Sequence, residues 1–64
     1  MAGALYRDLV RLLIDAGCIR VRQKGSHEIW YSPITKRHFP VVYNVQKRPT
    51  ANAALKYAGL PKAF

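Results

Sequence analysis

His27 stands where an imidazole can do chemistry, directly after Lys24-Gly25-Ser26. Gly25 lets the backbone come close to a phosphate, and successive turn amides form an anion-binding concavity. Lys24 and Arg22 are within reach of the same anion. A neutral imidazole beside a held phosphodiester can accept the proton of a ribose 2′-hydroxyl. That chemistry cuts RNA and spares DNA, which lacks the hydroxyl. The nucleophile belongs to the substrate, so no metal is required. His27 is therefore the candidate catalytic residue, supported by Lys24, Gly25, Ser26 and Arg22. A plain structural role also fits His27, opening a strand and hydrogen-bonding the turn, and spacing alone leaves both open. Ser26 suits a turn residue bonded to local backbone better than a nucleophile.

Other chemistry finds less support. His38 adjoins Lys36 and Arg37 and offers a phosphate contact or a second proton donor, although a strand-start residue needs neither role. Trp30 and Tyr31 can stack on unpaired bases, but they alternate onto different faces and one or both belong to a core. The three acids are Asp8, Asp15 and Glu28. Asp8 and Asp15 flank Arg11 at helical spacing, which reads as a solvated ion-pair ladder and not as a metal site. A single cysteine, Cys18, excludes an internal disulfide and a cysteine-cluster metal site, and reads as a small hydrophobe. No metal, cofactor or small-molecule ligand is expected.

The charge points to a polyanion. Lys and Arg total 11 against 3 acids in 64 residues, a net charge of +8. From Ile29 to Phe64 no carboxylate occurs, while Lys36, Arg37, Lys47, Arg48, Lys56 and Lys62 do. Such a surplus favours phosphate neutralisation and counterion release. Arg20, Arg22, Lys24, Lys36, Arg37, Lys47 and Arg48 are the candidate RNA-backbone contacts. A merely soluble basic surface is the bland alternative. The longest charge-free run, His38 to Gln46, is far short of the roughly 18 apolar residues of a membrane span. No basic amphipathic helix marks a membrane surface, and the opening Met1 to Asp8 does not read as a signal peptide. With 50% hydrophobic residues the chain is no disordered basic tail. One domain over residues 1–64, in a reducing cytoplasm, is expected.

The elements that must position these residues follow from periodicity. Leu5, Leu9, Leu12, Leu13 and Ala16 recur at helical spacing, widened by Tyr6 and Val10 and stopped at Gly17. From Cys18 to Gln23 the period becomes two, with Ile19 and Val21 facing one way and Arg20 and Arg22 the other. His27 to Tyr31 reads as a second strand. Ser32 to Arg37 turns the chain, and His38 to Tyr43 is a third strand, interrupted or edge-placed at Pro40. Asn44 to Pro49 is a basic loop and Thr50 a helix N-cap. Ala51, Ala54, Leu55 and Ala58 then recur at helical spacing before Gly59-Leu60-Pro61. Tyr43 and Tyr57 read as core or helix–sheet contacts. The order is α-β-β-β-α, an α+β class. Short connections favour a three-stranded antiparallel meander with two helices on one face, a layout like that of double-stranded-RNA-binding domains.

The run Arg20-Val21-Arg22-Gln23-Lys24-Gly25-Ser26-His27-Glu28-Ile29-Trp30 resembles the HicA family of bacterial toxins, whose pattern is V-R-Q-x-G-S-H-x-x-aromatic. Leu9, Leu12, Leu13 and Gly17 match the family's first helix, and Leu55-Lys56-Tyr57-Ala58-Gly59-Leu60 matches its closing L-K-x-A-G-L. The resemblance covers nearly the whole chain. It implies a double-stranded-RNA-binding-like fold, cleavage of mRNA with His27 as catalytic residue, and a HicB-type antitoxin that binds the toxin in a hetero-oligomer and masks the site. Three positions depart from the pattern: Glu28, where many members carry a second histidine; Asn44 to Pro49, where a glycine-and-lysine loop is usual; and Cys18, where an aromatic is frequent. The rival reading is a non-catalytic RNA-binding module of the same fold. A third is a protein-interaction subunit whose basic face receives an acidic partner.

Overall fold

The computed structural model describes residues 3–64. Met1 and Ala2, part of the single domain expected over 1–64, lie outside the described residues. The elements are α1 (Ala4–Asp15), β1 (Ile19–Lys24), β2 (His27–Ser32), β3 (Arg37–Val42) and α2 (Arg48–Tyr57). The α-β-β-β-α order is the expected one. The strands form an antiparallel sheet in the order β1-β2-β3.

Both helices cover the same face of that sheet. Glu28, Trp30 and Ser32 of β2 and Phe39 and Val41 of β3 point into the interior. They meet Tyr6, Leu9 and Leu13 of α1 and Ala51, Ala54 and Leu55 of α2. Burying the apolar members of this set is what drives the fold, since a 64-residue chain has only a small core to draw on. The helices end alike. In α1 the Cys18 N–H donates to the Leu13 carbonyl at 2.9 Å, and in α2 the Leu60 N–H donates to the Leu55 carbonyl at 2.8 Å. Each is the six-to-one bond of a Schellman end. Gly59 has φ +85, and a Cβ there would meet Ile34 Cγ2 at 2.8 Å, so both its conformation and its close approach require glycine. Ser32 adds a buried tie, its hydroxyl donating to the Ala58 carbonyl at 2.7 Å.

Several expectations are corrected. The helical stripe of α1 centres on Tyr6, Leu9 and Leu13, with Leu5, Leu12 and Ala16 only partly buried. No ladder joins Asp8, Arg11 and Asp15: among the described residues the one ion pair is Arg20 with Glu28. Helix α2 begins at Arg48, with Lys47 as N-cap, and not behind a Thr50 cap. Pro49 explains the earlier start, because its fixed φ suits the first turn and its missing N–H would be an orphan there. Tyr43 and Tyr57 are exposed, although Tyr43 packs edge-on against Tyr6 with centroids 5.1 Å apart. Strand β3 does lie at the sheet edge and runs unbroken through Pro40, which pairs with Ile29. Among the described residues, no helix is long and apolar enough to cross a membrane.

The largest difference is in β1. Expected as a half-buried strand with Arg20 and Arg22 on one side, it is exposed throughout, Ile19 and Val21 included. A β-bulge between Arg20 and Arg22 leaves Val21 without a partner on β2. An extra residue shifts the phase of everything beyond it. Arg20 pairs with the inward-facing Trp30, whereas Arg22 pairs with the outward-facing Ile29. The two arginines therefore serve opposite faces.

Candidate active site

The bulge determines what stands beside His27. Beyond it, Lys24 pairs across the hairpin with His27, and Arg22 pairs with Ile29 one step along the same face. Gly25 and Ser26 form the two-residue loop between β1 and β2. Gly25 has φ +62 and Ser26 is not in the positive-φ region, as a type II′ hairpin demands. A Cβ on Gly25 would meet nothing within 4 Å, so glycine is needed there for conformation and not for space. The Gln23 side-chain amide donates to the Gly25 carbonyl at 3.2 Å, and the Tyr43 N–H donates to the Ser26 carbonyl at 2.7 Å. The turn is thereby tied to the end of β3.

His27 sits on the sheet face that neither helix covers, and it is exposed. Its neighbours there are Lys24 on β1 and Val42 on β3. Directly opposed residues of this kind have Cβ atoms about 4.5–5.5 Å apart, within reach of one phosphate. Among the described residues no hydrogen bond orients the imidazole. His27 also borders a cavity of about 390 Å³ that continues past Val42 and Pro40 to Thr50, Ala53 and Tyr57 of α2.

Five of the residues singled out for the site, His27, Lys24, Gly25, Ser26 and Arg22, are thus brought together. Lys47 and Arg48 join them at the same end of the molecule, because β3 ends beside His27 and α2 begins a few residues later. Lys36 and Arg37 lie at the opposite end, Lys36 in the β2–β3 connection and Arg37 at the start of β3. His38 shares the open face with His27, but it pairs with Tyr31, and their rings pack edge-on at 5.1 Å. Four residues along β2 separate the two pairings, about 13 Å at the usual strand rise. One phosphodiester cannot touch both histidines. Arg20 is held on the other face by Glu28, although its side chain keeps 55% exposure.

Glu28 is the residue that sequence reasoning missed. It has no exposed surface, and its carboxylate accepts from the Tyr6 hydroxyl at 2.5 Å, Trp30 Nε1 at 3.0 Å and Arg20 at 3.2 Å. Burial, together with the hydrogen bond to Glu28, pushes the Tyr6 phenol up to about 12. The alternation of β2 carries the available signal: if Trp30 is core, Glu28 shares its face and His27 the other. The groove between β3 and α2 was missed as well, since it joins segments distant in sequence.

The family model described as the HicA toxin of bacterial toxin–antitoxin matches residues 6–60, from the first buried residue of α1 to the leucine that closes α2. Searches of curated proteins and of solved structures find no match to this chain. The likeness to double-stranded-RNA-binding domains therefore stands on element order alone. The match spans every element of the fold and both sides of the Gly-Ser-His turn, and the chain belongs to the HicA toxin family of bacterial toxin–antitoxin systems.

Proposed function

We propose that this toxin is a metal-independent endoribonuclease that cleaves mRNA in the bacterial cytoplasm. One observation carries the reading: an exposed histidine stands on an uncovered sheet face, directly opposite a lysine, at a glycine-bent turn. His27 takes the proton of a ribose 2′-hydroxyl as that oxygen attacks the adjacent phosphorus. The bond to the 5′ oxygen breaks, and that oxygen takes a proton from water or from Lys24. The products are a 2′,3′-cyclic phosphate and a free 5′-hydroxyl. Lys24, Arg22 and the Gly25 amide stabilise the charge that develops on the phosphorane, and Ser26 completes the turn. Lys47 and Arg48 position the RNA backbone at the reacting end, with Lys36 and Arg37 at the far end, none of them reading sequence. Arg20 offers the RNA only the guanidinium edge that Glu28 does not engage. A HicB-type antitoxin, binding as a hetero-oligomer, would silence the enzyme by covering the exposed His27 face.

A second reading, an RNA-binding module without scission, draws on the lack of an orienting partner for His27 among the described residues, since catalytic histidines are commonly held by a third group. One experiment separates the two. Growth arrest and RNA cleavage are compared for wild type and His27→Ala, with folding checked by circular dichroism. The enzyme reading expects the variant to lose about 10²- to 10⁴-fold in cleavage, the usual range for a proton-transfer residue, and wild-type cleavage to persist in excess chelator. Equal cleavage by a folded His27→Ala rejects the catalytic assignment.

A further inference from the structure

The cavity beside His27 is one half of a longer feature. A second cavity, of about 560 Å³, lies between β3 and α2 and is bordered by Arg37, His38 and Lys56. The two cavities share Pro40 and Tyr57 as walls. The two adjoin at these walls and together make a groove along the β3 edge, with His27 bordering one part and Arg37 and Lys56 the other. Six residues of β3 make it about 17 Å long at the strand rise. Tyr57 stands midway and is 55% exposed. The charge along the groove is of one sign, since the chain has no carboxylate from Ile29 to Phe64.

We propose that this groove is a track for single-stranded RNA, with an unpaired base stacked on Tyr57, backbone phosphates held by Arg37 and Lys56, and the strand delivered to His27. This rests on the ribonuclease reading above and names its substrate class. Three observations favour RNA as the occupant. Arg37 and Lys56 border the groove at one end, and Lys24, Lys47 and Arg48 lie at the His27 end of the molecule, a layout that complements a chain of phosphates. An exposed aromatic ring between basic ends is the pairing that non-specific single-strand binders use. The edge strand is a poor seat for a protein strand, because Pro40 lacks the N–H that a ladder requires. A duplex would keep its bases stacked inside and leave Tyr57 nothing to hold. Unpaired RNA is therefore the preferred form, in contrast to what a likeness to duplex-binding domains suggests.

The test uses His27→Ala as background, so that binding is read without cleavage. Fluorescence anisotropy follows a labelled, unstructured single-stranded RNA oligonucleotide and the same sequence as a duplex. The track predicts tighter binding of the single strand. Tyr57→Ala should weaken it by about 5- to 150-fold, the range of one base–aromatic stack, whereas Tyr57→Phe should hold near the parent affinity. Tyr31→Ala, on the open sheet face, should change little. Equal affinity for the duplex, or a larger loss from Tyr31→Ala than from Tyr57→Ala, overturns the proposal. Unchanged binding by a folded Tyr57→Ala also overturns it and leaves the groove to a protein segment. Those outcomes leave the ribonuclease reading standing if wild type still cleaves RNA. Absence of both binding and cleavage overturns both.

Discussion

A carboxylate removed from water is costly unless its oxygens are taken up, and Glu28 is kept in the interior by three donors from three different elements. The arrangement is lopsided. Arg20 is half exposed and can rehydrate if its partner is lost, whereas Glu28 cannot. Tyr6 supplies the shortest of these bonds, at 2.5 Å, and removing it leaves a buried acceptor short of a partner. Tyr6→Phe should therefore destabilise the fold by about 1–3 kcal/mol at neutral pH, read from thermal unfolding. The pH dependence has a definite sign. The phenol is raised from 10.0 to about 12, chiefly by desolvation and then by its bond to Glu28, so the folded state favours the protonated form. Its contribution is fully present below pH 10.0 and is lost as the pH rises through about 12. A two-unit shift corresponds to about 2–3 kcal/mol. The stability gap between wild type and Tyr6→Phe should narrow across that window, and a gap constant from pH 9 to 12 would remove Tyr6 ionisation from the account.

Among the elements, β1 departs furthest from its periodicity, and the reason is a residue on its neighbour. Ile19-Arg20-Val21-Arg22 alternates without fault, so no local signal marks the bulge. What displaces Arg20 to the helix side is its salt bridge to the buried Glu28, and that burial depends in turn on Tyr6, 22 positions away in the chain. The helices, the turns and the strand order were legible because their cues are local: the leucine spacing of α1, the alanines of α2, and the glycines at Gly17, Gly25 and Gly59. The His27–Lys24–Gly25 cluster was legible for the same reason, being a single hairpin. The groove was not, since Pro40 and Tyr57 meet only once α2 has folded back along β3. A deletion tests the bulge. Val21 has no partner, so removing it should close the ladder and keep Lys24 opposite His27. Removing Gln23 should instead draw Val21 into the ladder opposite Ile29, leaving Arg20 opposite Trp30 but carrying Arg22 to the inward face, opposite Glu28. The Val21 deletion should remain folded and cleave RNA within a few-fold of wild type, while the Gln23 deletion, which takes Arg22 off the His27 face, should lose most of its cleavage. Equal damage from the two deletions would mean that the bulged residue is required in its own right.

At the scale of the whole molecule, both helices begin at the end of the sheet where His27 stands. The Gly3 N–H at the head of α1 donates to Asn44 at 2.6 Å, beside the start of α2, while α1 ends near Pro33 and α2 near Ser32, at the far end of the sheet. Neither helix has an acidic residue in its first turn. The positive ends of two macrodipoles are thus added to Lys24, Arg22, Lys47 and Arg48 at the reacting end without local neutralisation. A field of this kind draws in a polyanion quickly and makes its capture sensitive to salt. Each phosphate contact should contribute about 0.7 to the slope of log affinity against log salt for a single strand. The double variant Lys47→Gln, Arg48→Gln should therefore lower that slope by about 1 to 2 on the His27→Ala background. Arg11→Gln, which removes a cation from an exposed position on α1, should leave the slope where it was. The pair of measurements separates contact from field: if both variants reduce the slope equally, net charge alone governs RNA binding, and the concentration of cations around His27 has no part in holding the strand.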